Sequence, residues 1–223
     1  MTTDSLPRRD DIIDSLRSDP HADVVIIGGG INGISTLREL ALAGAKVVLV
    51  ERGDYAGGAS AGSSHMIHGG IRYLENGEVR LVKESLTERN RLLDNAPHYV
   101  KPLGTTIPIF STFSGIVSAP LRLLTHKAFS TKERGALLIK IGLVLYDLFG
   151  RKKGTLPAHE FHGKKKSLRH YPAMNRDVRY TAHYSDACIE QPERLAVELL
   201  ADALSAGNHV RAVNYVEAVS TTP

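Results

Sequence analysis

The sequence predicts an α/β fold organised around a parallel sheet, and three neighbouring segments predict it. Residues 23–28 (DVVIIG) form an unbroken apolar run ending in glycine, the pattern of a strand buried on both faces. Residues 31–43 place Ile34, Leu37, Leu40 and Ala41 at helical spacing, with Gly44 as the stop. Residues 46–50 (KVVLV) are a second apolar run of strand length. Parallel neighbours need a crossover, so this strand–helix–strand unit begins an α/β sheet.

The remaining elements follow in order. Residues 1–22 are polar and read as a tail with a short helix around Ile12, Ile13 and Leu16. Residues 53–77 hold seven glycines and little periodicity, a loop-rich stretch whose backbone approaches something closely. Residues 78–94 form a helix with Val79, Val82, Leu86 and Leu93 near one face, ended by Pro97. The stretch 103–134 reads ambiguously, with a strand at 105–110 and a loop holding Phe113, Ile116, Val117 and Leu121. A helix at 136–149 (ALLIKIGLVLYDLF) is followed by a Lys-rich linker to about residue 170. A strand at 178–185, a helix at 192–206 and a strand at 210–219 complete the order.

With 223 residues, 42% of them hydrophobic and 23% charged, the composition excludes a disordered or collagen-like chain and allows one large domain or two small ones. The single cysteine, Cys188, cannot form an internal disulfide. Asp4, Arg8, Arg9, Asp10 and Asp11 leave no apolar stretch for a secretory signal. The greasiest segment, 136–149, is interrupted by Lys140 and Asp147 and is shorter than the roughly 20 apolar residues a spanning helix needs. A cytoplasmic location is therefore expected.

Charge is distributed unevenly. Residues 101–170 carry thirteen Lys or Arg against Glu133, Asp147 and Glu160, which points either to an anionic partner surface or to a solvated basic face. The runs RKK (151–153) and KKK (164–166) lack the interleaved aromatics of a nucleic-acid site. An anionic membrane surface suits them better, with amphipathic stretches such as 116–124 dipping into the interface. His65 and His68 stand three apart, and His159, His162 and His170 cluster later; neither group has the ligand set of a metal centre, and no metal is expected.

The chemistry is carried by GGGING, which sets Gly28, Gly30 and Gly33 at dinucleotide-binding spacing. The first glycine permits the tight turn, the second admits a pyrophosphate, and the third lets helix pack on sheet. The helix N-terminus then offers free N–H groups to the phosphates. Glu51 ends the second strand, where a carboxylate can accept hydrogen bonds from both ribose hydroxyls of an adenosine. The motif serves FAD and NAD alike. Arg52 could suit a 2′-phosphate, which Glu51 would repel. The long Gly/Ser loop that follows suits wrapping a large immobile cofactor and favours a flavin.

At this point the chain resembles the N-terminal part of the FAD-dependent glycerol-3-phosphate dehydrogenases. The resemblance rests on DVVIIGGGING (23–33), SSHMIHGGIRYLE (63–75), SLTERNRLLDNAPHYVKPL (85–103), GLVLYDLFG (142–150), YSDACIEQPERL (184–195) and NYVEAVS (214–220). It implies an FAD-binding Rossmann-like domain of the glutathione-reductase type, incomplete here, with the start of a substrate domain. Gly28, Gly30, Ile31, Asn32 and Gly33 would cradle the pyrophosphate of FAD, and Glu51 the ribose, with Arg52 beside it. Ser60, Ser64 and His65 would run along the cofactor towards the flavin ring, and Val216 would meet adenine through its backbone. Arg72 and Tyr73 would face the substrate, a guanidinium for phosphate and a phenol for a hydroxyl; an Arg–Tyr pair stitching loop to core is the alternative. His68 would tune the flavin or position substrate, or be a structural histidine. Ala59 and His65 depart from the Thr and Lys common in the family.

The expected domains are a tail at 1–22, the first part of the FAD domain at 23–100, a basic excursion at 101–186, and a return to the FAD domain at 187–223. Implied partners are glycerol 3-phosphate as substrate and quinone as electron acceptor, with the chain peripheral on the inner face of the cytoplasmic membrane. The alternatives are an amine or hydroxy-acid oxidoreductase of the same fold, or a fragment that only binds FAD or membrane. Because the resembling enzymes are much longer, the chain is expected to be an N-terminal portion.

Overall fold

A computed structural model describes residues 7–112, 135–150 and 156–220. The loop around Phe113, Ile116, Val117 and Leu121, the stretch 116–124 and the run 151–153 lie outside the described residues. The chain divides into two compact units, Met1–Ser64 with Gln191–Pro223, and His65–Glu190.

The first unit is a three-stranded parallel sheet in the order β1-β2-β7, from β1 (Val24–Ile27), β2 (Val47–Glu51) and β7 (Val210–Asn214). Ile26 pairs with Leu49, and Leu49 with Ala212, so both ladders run in one register. Helix α2 (Ile31–Leu42) crosses from β1 to β2, and α6 (Pro192–Leu204) leads into β7. Ile34, Leu37 and Ala41 of α2 pack with Ala196, Leu200 and Ala203 of α6 over Val47, Leu49, Val210 and Ala212. Pro192 opens α6 where its missing N–H costs nothing.

Two expectations change here. The opposite sheet face is covered at β7 by α1 (Arg9–Ser18), while Val25 and Ile27 of β1 stand exposed, so β1 is not buried on both faces. Residues 9–21 are also more than a loose tail. The buried Arg211 guanidinium donates to the carbonyls of Ser15, Asp19 and His21 at 3.4, 2.5 and 2.7 Å, fixing the chain that leaves α1.

The second unit is an antiparallel sheet in the order β3-β6-β4, with β5 also pairing β6. Its strands are β3 (Met66–Ile67), β4 (Val100–Ile109), β5 (Glu160–Gly163) and β6 (Tyr180–Ile189). Helices α3 (Val79–Asn95) and α4 (Ala136–Gly150) cover one face, with Val82, Leu86, Ile139, Leu143 and Tyr146 packed on Ile109, Ala182 and Tyr184. Residues 65–100 therefore belong with this sheet and not with the first unit, because β3, α3 and β4 all pack on or pair with β6.

β4 begins five residues before the expected strand and carries Pro102 and Pro108, which an edge strand tolerates. The expected Lys-rich linker contains β5 and a short helix, α5 (Lys164–His170), whose first turn is the KKK run. The glycine-rich stretch likewise holds β3 and a 3-10 helix at Ile71–Asn76. β7 ends at Asn214, because Tyr215 turns the chain at φ 55°.

Candidate functional site

In the first unit the glycine turn joins β1 to α2. Gly28 adopts φ 110° and donates its N–H to the Val50 carbonyl at 2.8 Å. Gly33 faces it: a Cβ added there would lie 2.0 Å from the Gly28 carbonyl oxygen. Only a residue without a side chain lets α2 approach β1 this closely. Gly30 is the extended N-cap of α2, and the first N–H bonded back to it belongs to Ile34 at 3.0 Å. The N–H groups of Asn32 and Gly33 thus precede the first closed turn and carry the positive end of the helix dipole. No acidic residue occupies that first turn.

Ser60 reaches this turn, its hydroxyl accepting from the Ile31 N–H at 2.9 Å. Glu51 does so from β2. Its carboxylate accepts the Gly29 N–H at 2.6 Å and the Gly53 N–H at 2.7 Å. These bonds, Gly53 first and Gly29 second, hold its pKa below the ordinary carboxylate range. Exposed Arg52 adds its charge and its N–H to the same effect. Glu51 is therefore an oriented, ionised acceptor at neutral pH. Tyr55 packs beside the turn, and burial pushes its phenol up to about 12.

A dinucleotide presents a pyrophosphate and a ribose diol, and the unit offers a match for each. Free N–H groups stand at the head of α2, and a fixed carboxylate stands one strand away. The residues fit the adenosine diphosphate half of FAD. The profile of a family described as "FAD dependent oxidoreductase" matches residues 23–222. The chain belongs to this family. A glycerol-3-phosphate dehydrogenase from Synechocystis sp. is 38% identical over 195 residues, covering 87% of this chain and 31% of that protein. A D-erythritol 1-phosphate dehydrogenase from Brucella abortus is 37% identical over 184 residues, covering 81% and 32%. Among solved structures, glycerol-3-phosphate dehydrogenase from Bacillus halodurans complexed with FAD aligns at a TM-score of 0.59 and 20% identity, over 96% of this chain and 30% of that one. The chain spans about a third of the length of these proteins.

In this member of the family, the first unit brings together Gly28, Gly30, Ile31, Asn32, Gly33, Glu51 and Ser60. Val216 lies close by, but its N–H is donated to the Glu51 carbonyl at 2.9 Å. Ser64 is exposed at the end of the unit.

The other sequence-predicted residues lie in the second unit. His65 sits at φ 58°, and its carbonyl accepts the Ile189 N–H at 2.9 Å. His68 and Tyr73 are exposed, with ring centroids 6.4 Å apart. Arg72 is in the 3-10 helix that begins as the Tyr73 N–H bonds the Gly70 carbonyl at 2.8 Å; its side chain lies outside the described residues.

Sequence reasoning passed over Gly29. A Cβ there would lie 2.8 Å from the Tyr55 ring and 2.9 Å from the Glu51 Cβ, so this glycine makes room for the Glu51 side chain. The run of three glycines, where the motif needs only the first and third, was the available signal.

Proposed function

We propose that this chain supplies the cofactor turn and part of the substrate sheet of an enzyme oxidising sn-glycerol 3-phosphate to dihydroxyacetone phosphate. The observation that carries it is the ionised Glu51 set against the Gly28–Gly33 turn, in a chain 38% identical to a glycerol-3-phosphate dehydrogenase. Bound FAD supplies the two-electron acceptor for the hydride leaving the carbinol carbon. A general base takes the hydroxyl proton as the hydride leaves, and the chain's own residues bind and orient. The N–H groups of Asn32 and Gly33 hold phosphate, and Glu51 holds the ribose. Arg72 meets the substrate phosphate, Tyr73 orients the hydroxyl, and His68 stands beside Tyr73.

The test uses the full-length holoenzyme under anaerobic conditions, reading loss of the visible flavin absorbance. Glycerol 3-phosphate should bleach it, with D-erythritol 1-phosphate as the competing polyol phosphate. Arg72→Ala should raise KM for phosphorylated substrates roughly 10- to 100-fold, the loss of one charge-assisted pair. Bleaching by an amino acid or unphosphorylated alcohol, and not by glycerol 3-phosphate, would sink the reading.

Reoxidation by quinone at the inner face of an anionic membrane completes the proposal. Its support is α4, where Leu137, Ile141, Val144 and Leu148 follow helical spacing and remain exposed while Ile139, Leu143 and Tyr146 face the core. Lys140 lies on the same helix, and Lys164–Lys166 open α5. No helix among the described residues is long and apolar enough to cross a membrane. Full-length protein should sediment with anionic vesicles at low salt, and the pair Ile141→Asp and Leu148→Asp should weaken this at least about tenfold. Equal sedimentation of variant and wild type removes α4 from the contact.

A further inference from the structure

Four of the stretches on which the family resemblance rests converge on one buried polar cluster. Arg89 (from 85–103), Tyr146 (from 142–150) and Asp186 (from 184–195) are each no more than 3% exposed. Arg89 Nη1 donates to Asp186 Oδ1 at 3.1 Å, to the Tyr146 hydroxyl at 3.1 Å and to the Ser185 carbonyl at 3.2 Å. Its Nε and Nη2 reach Asn90 Oδ1, and Asn90 Nδ2 donates to the Gly150 carbonyl at 2.8 Å. The Tyr146 hydroxyl donates to Asp186. The fourth stretch, 63–75, supplies only backbone: the Gly69 N–H is shared between Asp186 Oδ1 and the Tyr146 oxygen, each at 3.0 Å.

That donor ties the loop to the cluster, alongside Ile71 and Leu74, which pack on the core of the unit. A Cβ on Gly69 would lie 2.2 Å from Leu86 Cδ2 and 2.4 Å from the Tyr146 oxygen, so the loop backbone rests directly on the cluster. His68 precedes this point by one residue; Arg72 and Tyr73 follow within four. We propose that Arg89, Asp186 and Tyr146 are positioning residues whose shared grip on the Gly69 N–H fixes the His68–Tyr73 loop in its substrate-binding conformation. The inference rests on the reading of that loop given above. Stability alone does not require a buried ion pair here, since apolar side chains of similar volume often fill such space at no loss.

Tyr146→Phe tests this in the full-length holoenzyme. It keeps the ring edge-on to Tyr184 at 5.6 Å and beneath the Arg89 guanidinium at 5.5 Å, and deletes only the hydroxyl. Amide hydrogen exchange at Gly69–Tyr73 should quicken about tenfold. At a temperature well below unfolding, kcat/KM for glycerol 3-phosphate should fall about ten- to a hundredfold while FAD content and flavin spectrum stay unchanged. Unchanged exchange overturns the proposal. Quickened exchange with unchanged kinetics also overturns it if Tyr73→Phe, run in parallel, does impair turnover. If Tyr73→Phe and Arg72→Ala are both silent, it is the substrate reading of the loop that has failed.

Discussion

Gly33→Ala should yield a protein purified without its yellow colour. The new Cβ would be placed 2.0 Å from the Gly28 carbonyl oxygen, where real Cβ atoms do not come within 3.0 Å. The opposing atom is backbone at the turn itself, so no side-chain rotation relieves the clash. α2 must lift from β1 by at least 1.0 Å, drawing Ile34 and Leu37 out of the core they share with α6. Overpacking of this kind costs about 1–3 kcal/mol, and the Asn32 and Gly33 N–H groups leave the position proposed for holding phosphate. Flavin content by absorbance and stability by urea unfolding check both effects. Gly142→Ala is the matched control. Gly142 lies inside α4 with nothing within 4 Å of an added Cβ, so the change should be neutral or stabilise by roughly 0.5–1 kcal/mol. A Gly33→Ala protein that keeps stoichiometric flavin would place the cofactor elsewhere.

The second large effect is expected at Arg89→Leu. This change leaves the carboxylate of Asp186 buried without its cation, and removes one donor each from the Tyr146 hydroxyl and the Ser185 carbonyl. Breaking a buried pair by removing one partner costs about 3–5 kcal/mol, mostly through the uncompensated charge. That is a large share of the roughly 5–15 kcal/mol that holds a domain together. Adding Asp186→Asn to Arg89→Leu removes the stranded charge and should recover part of the loss, a non-additivity that separates charge burial from lost packing. Tyr146 reports the same environment, since burial first and Asp186 second raise its pKa well above the ordinary phenol value. A single-variant cost below about 1 kcal/mol would mean that water reaches this cluster.

What the sequence made legible follows from which interactions are local. β1, α2 and β2 were readable because an apolar run, a glycine turn and helical spacing each act within a few residues. Glu51 was readable because the strand that carries it ends beside the turn. Arg89 was not: on an amphipathic helix a charged residue reads as solvent-facing, and only its distant partner Asp186 makes burial tolerable. The start of β4 is hard to read from sequence, because Pro102 argues against a strand unless its edge position is known. The KKK run masked β5 and α5, since three lysines carry no periodic signal. β1 reads as doubly buried from its unbroken apolar run, yet nothing in that run tells which face a helix will cover.

The order β1-β2-β7 also sets a timetable. Val50 pairs with Val213, so β2 leaves the ribosome about 160 residues ahead of its neighbour, an interval of roughly 8–30 s at ordinary synthesis rates. The whole antiparallel unit emerges and can collapse within that time. Chain closure over such a span adds little entropy beyond that of a much shorter loop. The cost is one of waiting: until α6 and β7 arrive, the apolar faces that α2 and β2 present to them stand open to water and to other chains.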